Sequence, residues 1–434
     1  MKRLALETSL LLSAVFLIAI AGPLFSATAP KNSAKIVALT NVRIVDAVHE
    51  RPIEKGILVF SGNVITACGE ASTIKVPSDA QVIDLSGKTI MPGLIDVHCH
   101  ITFEELTSFR NTIDQPESFI ALLAAKNLCT ILQTGVTTIR DCGGLGGITE
   151  SIKRARTRNL IPGPRFFHAG RAITNSGGHG SEFCEVADGS HEIIKAIRRR
   201  FSESGHQCDF IKVMWNLPQG YTEEEIRTAI ETTHKYGKRI AIHAYQPETI
   251  EACVRLGADT IEHGHLIPAG SIPLAIKNKT VIVATMLFSG KPFTDKTFQF
   301  ILDGRPLDEP SRENELAKRK AWWKMTLDGL RPYAKAGGLL ALGTDCGSYP
   351  VLYGDAANEL ILHQELGLNN FQIIQVGTIN GAKAIGIDDK TGTLEKGKWA
   401  DIIVLEGNPL ENLNALKNVE TVILDGDVVF KKAG

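Results

Sequence analysis

The segment PGLIDVHCHI, residues 92–101, sets two histidines two positions apart at the end of an apolar run that a Pro-Gly pair introduces. In a strand, side chains alternate between faces, so residues at i and i+2 point the same way. His98 and His100 therefore share one face and Cys99 takes the other. Two neighbouring imidazoles on one face suit a metal ion such as zinc. A strand end with two polar residues meeting solvent is the ordinary alternative, and these ten residues leave both open.

Outward from this segment, residues 92–390 alternate apolar strands with helical stretches. Strands are expected at GLIDVHCH, GVTTIRDC, RFFHAG, FIKVMW, RIAIHAY, TIEHGH, TVIVATM and LLALGTDCG. Helical patterns such as EEEIRTAIETTHKYG and PETIEACVRLG lie between most of them. Eight strand–helix units in about 300 residues suit a (β/α)8 TIM-like barrel with insertions, although the alternation also permits a doubly wound sheet. The polar residues favour the barrel, because His, Lys, His, His and Asp fall at the C-terminal ends of different strands, where barrel active sites are assembled.

Both ends of the chain have another texture. IVALTNVRIV, GILVFSGNVITACG and QVIDLSGKTI near the start, and GTLEKGKWADIIVLEGNPL and VETVILDGDVVF near the end, alternate with Gly and Asn breakers. They predict a small β-sandwich built from residues 35–91 and 391–434 around a barrel at 92–390. A chain of 434 residues exceeds what one core usually absorbs, so a second, smaller unit is expected. The fold class is α/β.

Composition narrows the function classes. Hydrophobic content of 44% and charged content of 22% describe an ordinary folded protein. A formal net charge of −1, with no arginine-rich stripe, gives no electrostatic case for nucleic acid. Eight cysteines would permit disulfides outside the cytoplasm. Cys99, Cys129, Cys142, Cys253 and Cys346 lie in apolar or strand-like segments without framework spacing, so buried free thiols are expected.

The first residues, MKR, then LLLSAVFLIAIAG at 10–22, then SATA at 26–29, have the layout of a secretory signal peptide over residues 1–29. Glu7 and Pro30 depart from that layout, and an uncleaved N-terminal anchor is the alternative. A secreted or periplasmic location is expected, with membrane contact only if the segment is retained.

Taken singly, each candidate residue has a bland use. His243 could bond a backbone carbonyl, and His263 could do the same, although His265 two residues on doubles the imidazoles on that face. Asp345 could cap a helix after its strand. Lys212 is odder, since lysine is rarely buried in an apolar strand without a partner. As a set they would converge on one barrel mouth: two histidines on strand 1, lysine on strand 4, histidines on strands 5 and 6, aspartate on strand 8. Such a group could hold two divalent metal ions. A neutral Lys212 amine can react with carbon dioxide, and the N6-carboxylated lysine would bridge both ions. Water held between two zinc ions loses a proton near neutral pH, and Asp345 can take that proton to a leaving nitrogen.

On these residues the sequence resembles the amidohydrolase superfamily from end to end. PGLIDVHCH matches its strand-1 HxH signature, Lys212 its carboxylated lysine, His243 and His263 its strand-5 and strand-6 ligands, and Asp345 its strand-8 aspartate. The resemblance implies that His98, His100, Lys212 and Asp345 bind the more buried ion and Lys212, His243 and His263 the other. IPGPRFFHAGRAITNSGGHG (161–180) and IHAYQP resemble the branch of Xaa-Pro dipeptidases, N-acyl amino acid hydrolases and imidazolonepropionase-like enzymes. That likeness implies that His179 polarises the scissile carbonyl and Tyr245 meets the substrate carboxylate.

Trp215 and Asn216 stand where relatives often carry smaller residues, which is expected to narrow the pocket. The charged stretch 291–325 predicts a solvated helical surface, or a lid from which Arg305 or Arg312 would reach an acidic substrate.

The expected function is a binuclear zinc hydrolase of amide bonds in dipeptides or N-acyl amino acids. A cyclic-amide hydrolase or deaminase of the same fold is the alternative, and Lys212 argues against the mononuclear deaminases. An inactive relative serving as a binding module is a third reading, though no ligand position is missing. The sequence leaves the preferred substrate, native metal and any homo-oligomer open.

Overall fold

The computed structural model describes residues 35–202, 207–294 and 298–433. The expected signal segment lies outside the described residues. All eight expected central strands form: Leu94–Cys99, Val136–Asp141, Arg165–His168, Ile211–Met214, Ile240–Ala244, Thr260–His263, Val281–Val283 and Leu340–Ala341. They are numbered first to eighth in that order. Each is followed by at least one helix before the next begins.

The first three pair in parallel as one sheet, and the fourth to eighth pair in parallel, in chain order, within a second. Backbone bonds also link the eighth strand's exit to the first strand: Val97 donates to Leu342 O at 2.9 Å and Asp345 donates to His98 O at 2.8 Å. Asp209, just before the fourth strand, donates its N–H to His168 O of the third at 2.9 Å. Strands covered on both faces read as continuous apolar runs. Every residue of the first, second, fourth, fifth and sixth strands is accordingly buried.

The helix Glu223–Lys235 shows how local sequence sets these elements. Thr222 and Glu225 form a capping box, each side chain bonding the other's backbone N–H. Ile226, Ala229, Ile230 and Thr233 form the buried face at helical spacing, and His234 and Lys235 sit at the negative end of the helix dipole.

The chain ends meet in one sheet. Its path runs Asp427–Lys431, Val419–Leu424, Ile402–Glu406, Lys88–Pro92, Ile36–Ile44, Ile53–Ser61, Val64–Glu70, with Gln81–Asp84 also on Ile36–Ile44. One face of this sheet closes on a core that includes Leu39, Leu58, Phe60, Ile90, Ile402 and Val404. Gly93 alone separates the strand Lys88–Pro92 from the first parallel strand. A Cβ there would meet the Thr137 side chain at 2.2 Å, so only glycine lets the chain cross between the two sheets at this point. The Pro-Gly pair before the two histidines is thus the junction that delivers them.

All eight cysteines are free thiols. Cys68 and Cys129 are partly exposed and the others are buried. Among the described residues no helix is long and apolar enough to cross a membrane.

Thr222→Ala removes the cap of Glu223–Lys235 and should cost about 1 kcal/mol of stability. Urea denaturation should show this as a lower midpoint with an unchanged slope.

Candidate metal centre

The eight residues to which the sequence assigned metal, catalytic or substrate roles, His98, His100, His179, Lys212, His243, Tyr245, His263 and Asp345, line one cavity of about 570 Å³. They arrive there from strand ends and the loops that follow. His98 and His100 share a face as expected, both turned towards Asp345 Oδ1, at 3.6 and 3.2 Å from Nε2. Cys99 points away, its thiol on Arg140 O.

The tautomers follow from the partners. His100 Nδ1 faces the Gly143 carbonyl at 2.9 Å, which can only accept, so Nδ1 carries a proton. His98 Nδ1 faces Glu262 Oε2 at 2.6 Å and donates in the same way. Both Nε2 lone pairs are then aimed at a carboxylate oxygen. Three acceptors converging in a buried space need a cation or an added proton between them.

Burial, then the positive field of Lys212, holds the His98 pKa down to about 4. His100 is displaced the other way: burial would lower its pKa, but Asp345, Asp141 and the Gly143 carbonyl together raise it. Asp345 stays a carboxylate: burial alone would raise its pKa, but His100, His98 and Lys212 bring it below the ordinary value.

Two further atoms have no hydrogen-bond partner. Lys212 Nζ and His243 Nε2 are buried and accept or donate no hydrogen bond. His243 Nδ1 lies 2.9 Å from His263 Nε2, and His263 Nδ1 bonds Thr285 Oγ1 at 2.7 Å. Ligand atoms of His98, His263 and Asp345 lie within 4.8 Å of one another. This donor set, with its orphaned lysine and imidazole, fits divalent cations.

Backbone strain fixes the arrangement. His263, Thr285 and Asp345 are non-glycine residues in the left-handed region, at φ +70°, +45° and +60°. Such conformations cost about 1–3 kcal/mol each and gather at functional sites. Asp345 is held by its own N–H on His98 O and by the Ser348 hydroxyl at 3.1 Å. It caps no helix; the next one begins at Ala356 with Asp355 in the capping position.

Behind the imidazoles lies a network that the sequence did not disclose. Arg140 donates to Glu262 Oε1 at 2.7 Å, to Thr260 Oγ1 at 3.1 Å and to Val97 O at 2.6 Å. Burial alone would raise the Glu262 pKa, but Arg140 and the His98 N–H outweigh it and hold this carboxyl well below the usual range. Glu262 therefore orients His98, in the place a carboxylate takes behind a metal-bound imidazole. His98, Cys142 and Glu262 also cluster closely. Arg140 already neutralises that carboxylate, and burial raises the Cys142 thiol to about 12, so this second group suits no cation.

The other assigned residues sit where the sequence placed them. His179 stacks on His243 at 4.6 Å between ring centroids, and Tyr245 stacks on His263 at 4.4 Å. Burial, then Lys212, lowers the His179 pKa, so this imidazole is neutral.

The family model described as "Amidohydrolase family" matches residues 89–429. The chain belongs to the amidohydrolase family. It is a hydrolase. Ochratoxinase of Aspergillus niger is 25% identical, over 88% of this chain and 84% of that protein. Imidazolonepropionase of Clostridium tetani is 24% identical, over 88% of this chain and 92% of that protein. A crystal structure of a Xaa-Pro dipeptidase with bound methionine in the active site is 26% identical, with a TM-score of 0.78 over 92% of this chain and all of that one.

Three expectations for this amidohydrolase need correcting. Trp215 does not narrow the pocket; it is buried, with its indole N–H on Tyr221 O, and Asn216 alone of that pair lines the cavity. Arg305 and Arg312 do not reach the site; both are exposed and neither lines the cavity. The stretch 291–325 instead contributes Leu302 and Trp322. His265 adds no imidazole to the cavity, since it bonds Ala284 O and Trp322.

Arg140→Met should destabilise the fold by about 3–5 kcal/mol, because it strands the Glu262 charge in the interior. Adding Glu262→Gln should recover a large part of that loss, and guanidinium unfolding of both variants measures it.

Proposed function

We propose that the protein is a binuclear zinc-dependent amidohydrolase that cleaves the amide C–N bond of small peptides, such as Xaa-Pro dipeptides, or of N-acyl amino acids. The single observation that carries this is the set of buried nitrogen atoms that turn on Asp345 or have no partner at all. They are the Nε2 atoms of His98 and His100, the orphaned His243 Nε2 and the orphaned Lys212 Nζ. Here His98, His100, Lys212 and Asp345 would hold one ion, and Lys212, His243 and His263 the second, with Lys212 carboxylated on Nζ so that it binds both. Such ions lower the pKa of water towards neutrality and polarise a carbonyl.

The protein's own groups do the rest. Asp345, a carboxylate hydrogen-bonded by Ser348, takes the proton from the attacking water and returns it to the leaving nitrogen. His179, neutral and stacked on His243, donates to the oxygen on which charge develops. Tyr245, stacked on His263, orients the substrate carboxylate.

The same reading takes the eight parallel strands as a closed (β/α)8 barrel over residues 92–390, supported by the bonds from the eighth strand to the first. It takes residues 35–91 and 391–434 as a separate sandwich. Residues 1–29 would be a signal peptide sending the enzyme out of the cytoplasm. The second reading is hydrolysis of a cyclic amide, favoured by the likeness to an imidazolonepropionase.

Lys212→Ala should abolish binding of two metal equivalents, with partial recovery on adding short carboxylic acids. Elemental analysis checks this, and two retained equivalents would contradict the bridge. Asp345→Asn should retain metal and lose turnover by about 10²–10⁴-fold. Unchanged turnover would remove Asp345 from the chemistry. A screen of zinc-loaded enzyme against dipeptides, N-acyl amino acids and cyclic amides separates the two readings by product.

A further inference from the structure

The cavity carries formal charge only at its metal-binding end. Apart from histidines, Lys212 and Asp345 are the ionisable residues of opposite sign among its described lining residues, and no arginine or second carboxylate lines it. Asp345 is already faced by two imidazoles and the Ser348 hydroxyl. Asp303 bonds the lining residues Thr107 and Ser108 and also Asn111, but does not itself line the cavity.

The rest of the wall is largely aromatic. Phe103, Phe109 and Phe183 pack mutually, with centroids 4.7, 5.2 and 5.3 Å apart. Phe288, Leu302 and Trp322 also line the cavity, and the rings of Phe288 and Trp322 lie 5.4 Å apart.

His265 fixes Trp322. Its Nε2 faces the Ala284 carbonyl and so carries the proton, which leaves Nδ1 to accept the Trp322 indole N–H at 2.9 Å. The indole then stands edge-on to Tyr245, at 5.0 Å and 82°.

We propose that this site selects amides whose amine end is blocked, namely N-acylated amino acids with an apolar acyl group seated against Trp322, over free dipeptides. His265 is the positioning residue that sets this wall. The inference rests on the amide-hydrolase reading above. Its physical basis is that, among the described lining residues, the ammonium of a free dipeptide would meet neutral side-chain oxygens such as those of Asn216 and Gln246 but no free carboxylate, whereas the substrate carboxylate is common to both substrate classes. In the reaction the water oxygen joins the acyl carbon as the C–N bond breaks. The water proton passes through Asp345 to the leaving nitrogen, giving a carboxylic acid and a free amino acid.

N-(3-phenylpropanoyl)-L-leucine and L-phenylalanyl-L-leucine differ only in that ammonium group, so their kcat/KM values isolate it. The blocked substrate should be favoured by about tenfold or more. Equal or faster cleavage of the dipeptide would overturn the proposal. His265→Leu should raise KM for the phenylpropanoyl substrate about tenfold more than for N-acetyl-L-leucine, with kcat changing less than KM. His265→Gln, which keeps an acceptor for the indole, should restore most of the difference. Equal losses in kcat and KM on both substrates, without rescue by glutamine, would remove the positioning role. If the zinc-loaded enzyme cleaves neither compound, the reading as a hydrolase of dipeptides and N-acyl amino acids fails and tryptophan fluorescence titration decides the pocket separately. Tighter binding of the blocked compound upholds its selectivity, and equal binding overturns it.

Discussion

Two imidazole lone pairs and a carboxylate oxygen face one another inside the protein, and the site is organised around that conflict. His98 and His100 each spend their Nδ1 proton on a fixed acceptor, so neither can relieve the approach to Asp345 by turning. Burial denies them water. A cation or an added proton removes the conflict, and left-handed backbone at His263, Thr285 and Asp345 holds the groups in place. The Arg140–Glu262 pair serves the same end from behind, since it holds the carboxylate that holds His98. Fold stability and the placement of His98 therefore share residues here.

The site's floor and its walls do different work. The floor gathers charge and donors, whereas the walls are aromatic and neutral among the described residues. The long helix Glu309–Lys335 reaches the cavity through Trp322, whose indole is tied to His265 just beyond the sixth strand. Charge gathers at strand ends and apolar surface on the segments that follow them, the division by which barrel enzymes separate chemistry from selection.

Much of this was legible in the chain. Periodicity and breakers located all eight parallel strands, because strands buried on both faces are short apolar runs with few alternatives. The residues that gather at the cavity were legible because most are polar residues at the end of such a run. Lys212 stood out for the same physical reason that now leaves its Nζ unpartnered. Arg140 and Glu262 carried an equal signal, each being a charge inside an apolar strand, but they pair across 122 positions and nothing local announces the partner. Side-chain direction was the least legible quantity. Trp215, Arg305 and Arg312 were expected at the pocket from their place in the chain, yet the first turns into the core and the others into solvent.

The account depends most on cations resolving the convergence at Asp345. Crystals of the zinc-loaded enzyme, measured with anomalous scattering at the zinc edge, test this most directly. Two peaks about 3.5–4 Å apart are predicted between the four histidines and Asp345. Continuous density should extend beyond Lys212 Nζ towards both. No peak there, or a single peak with a bare lysine amine, would contradict it.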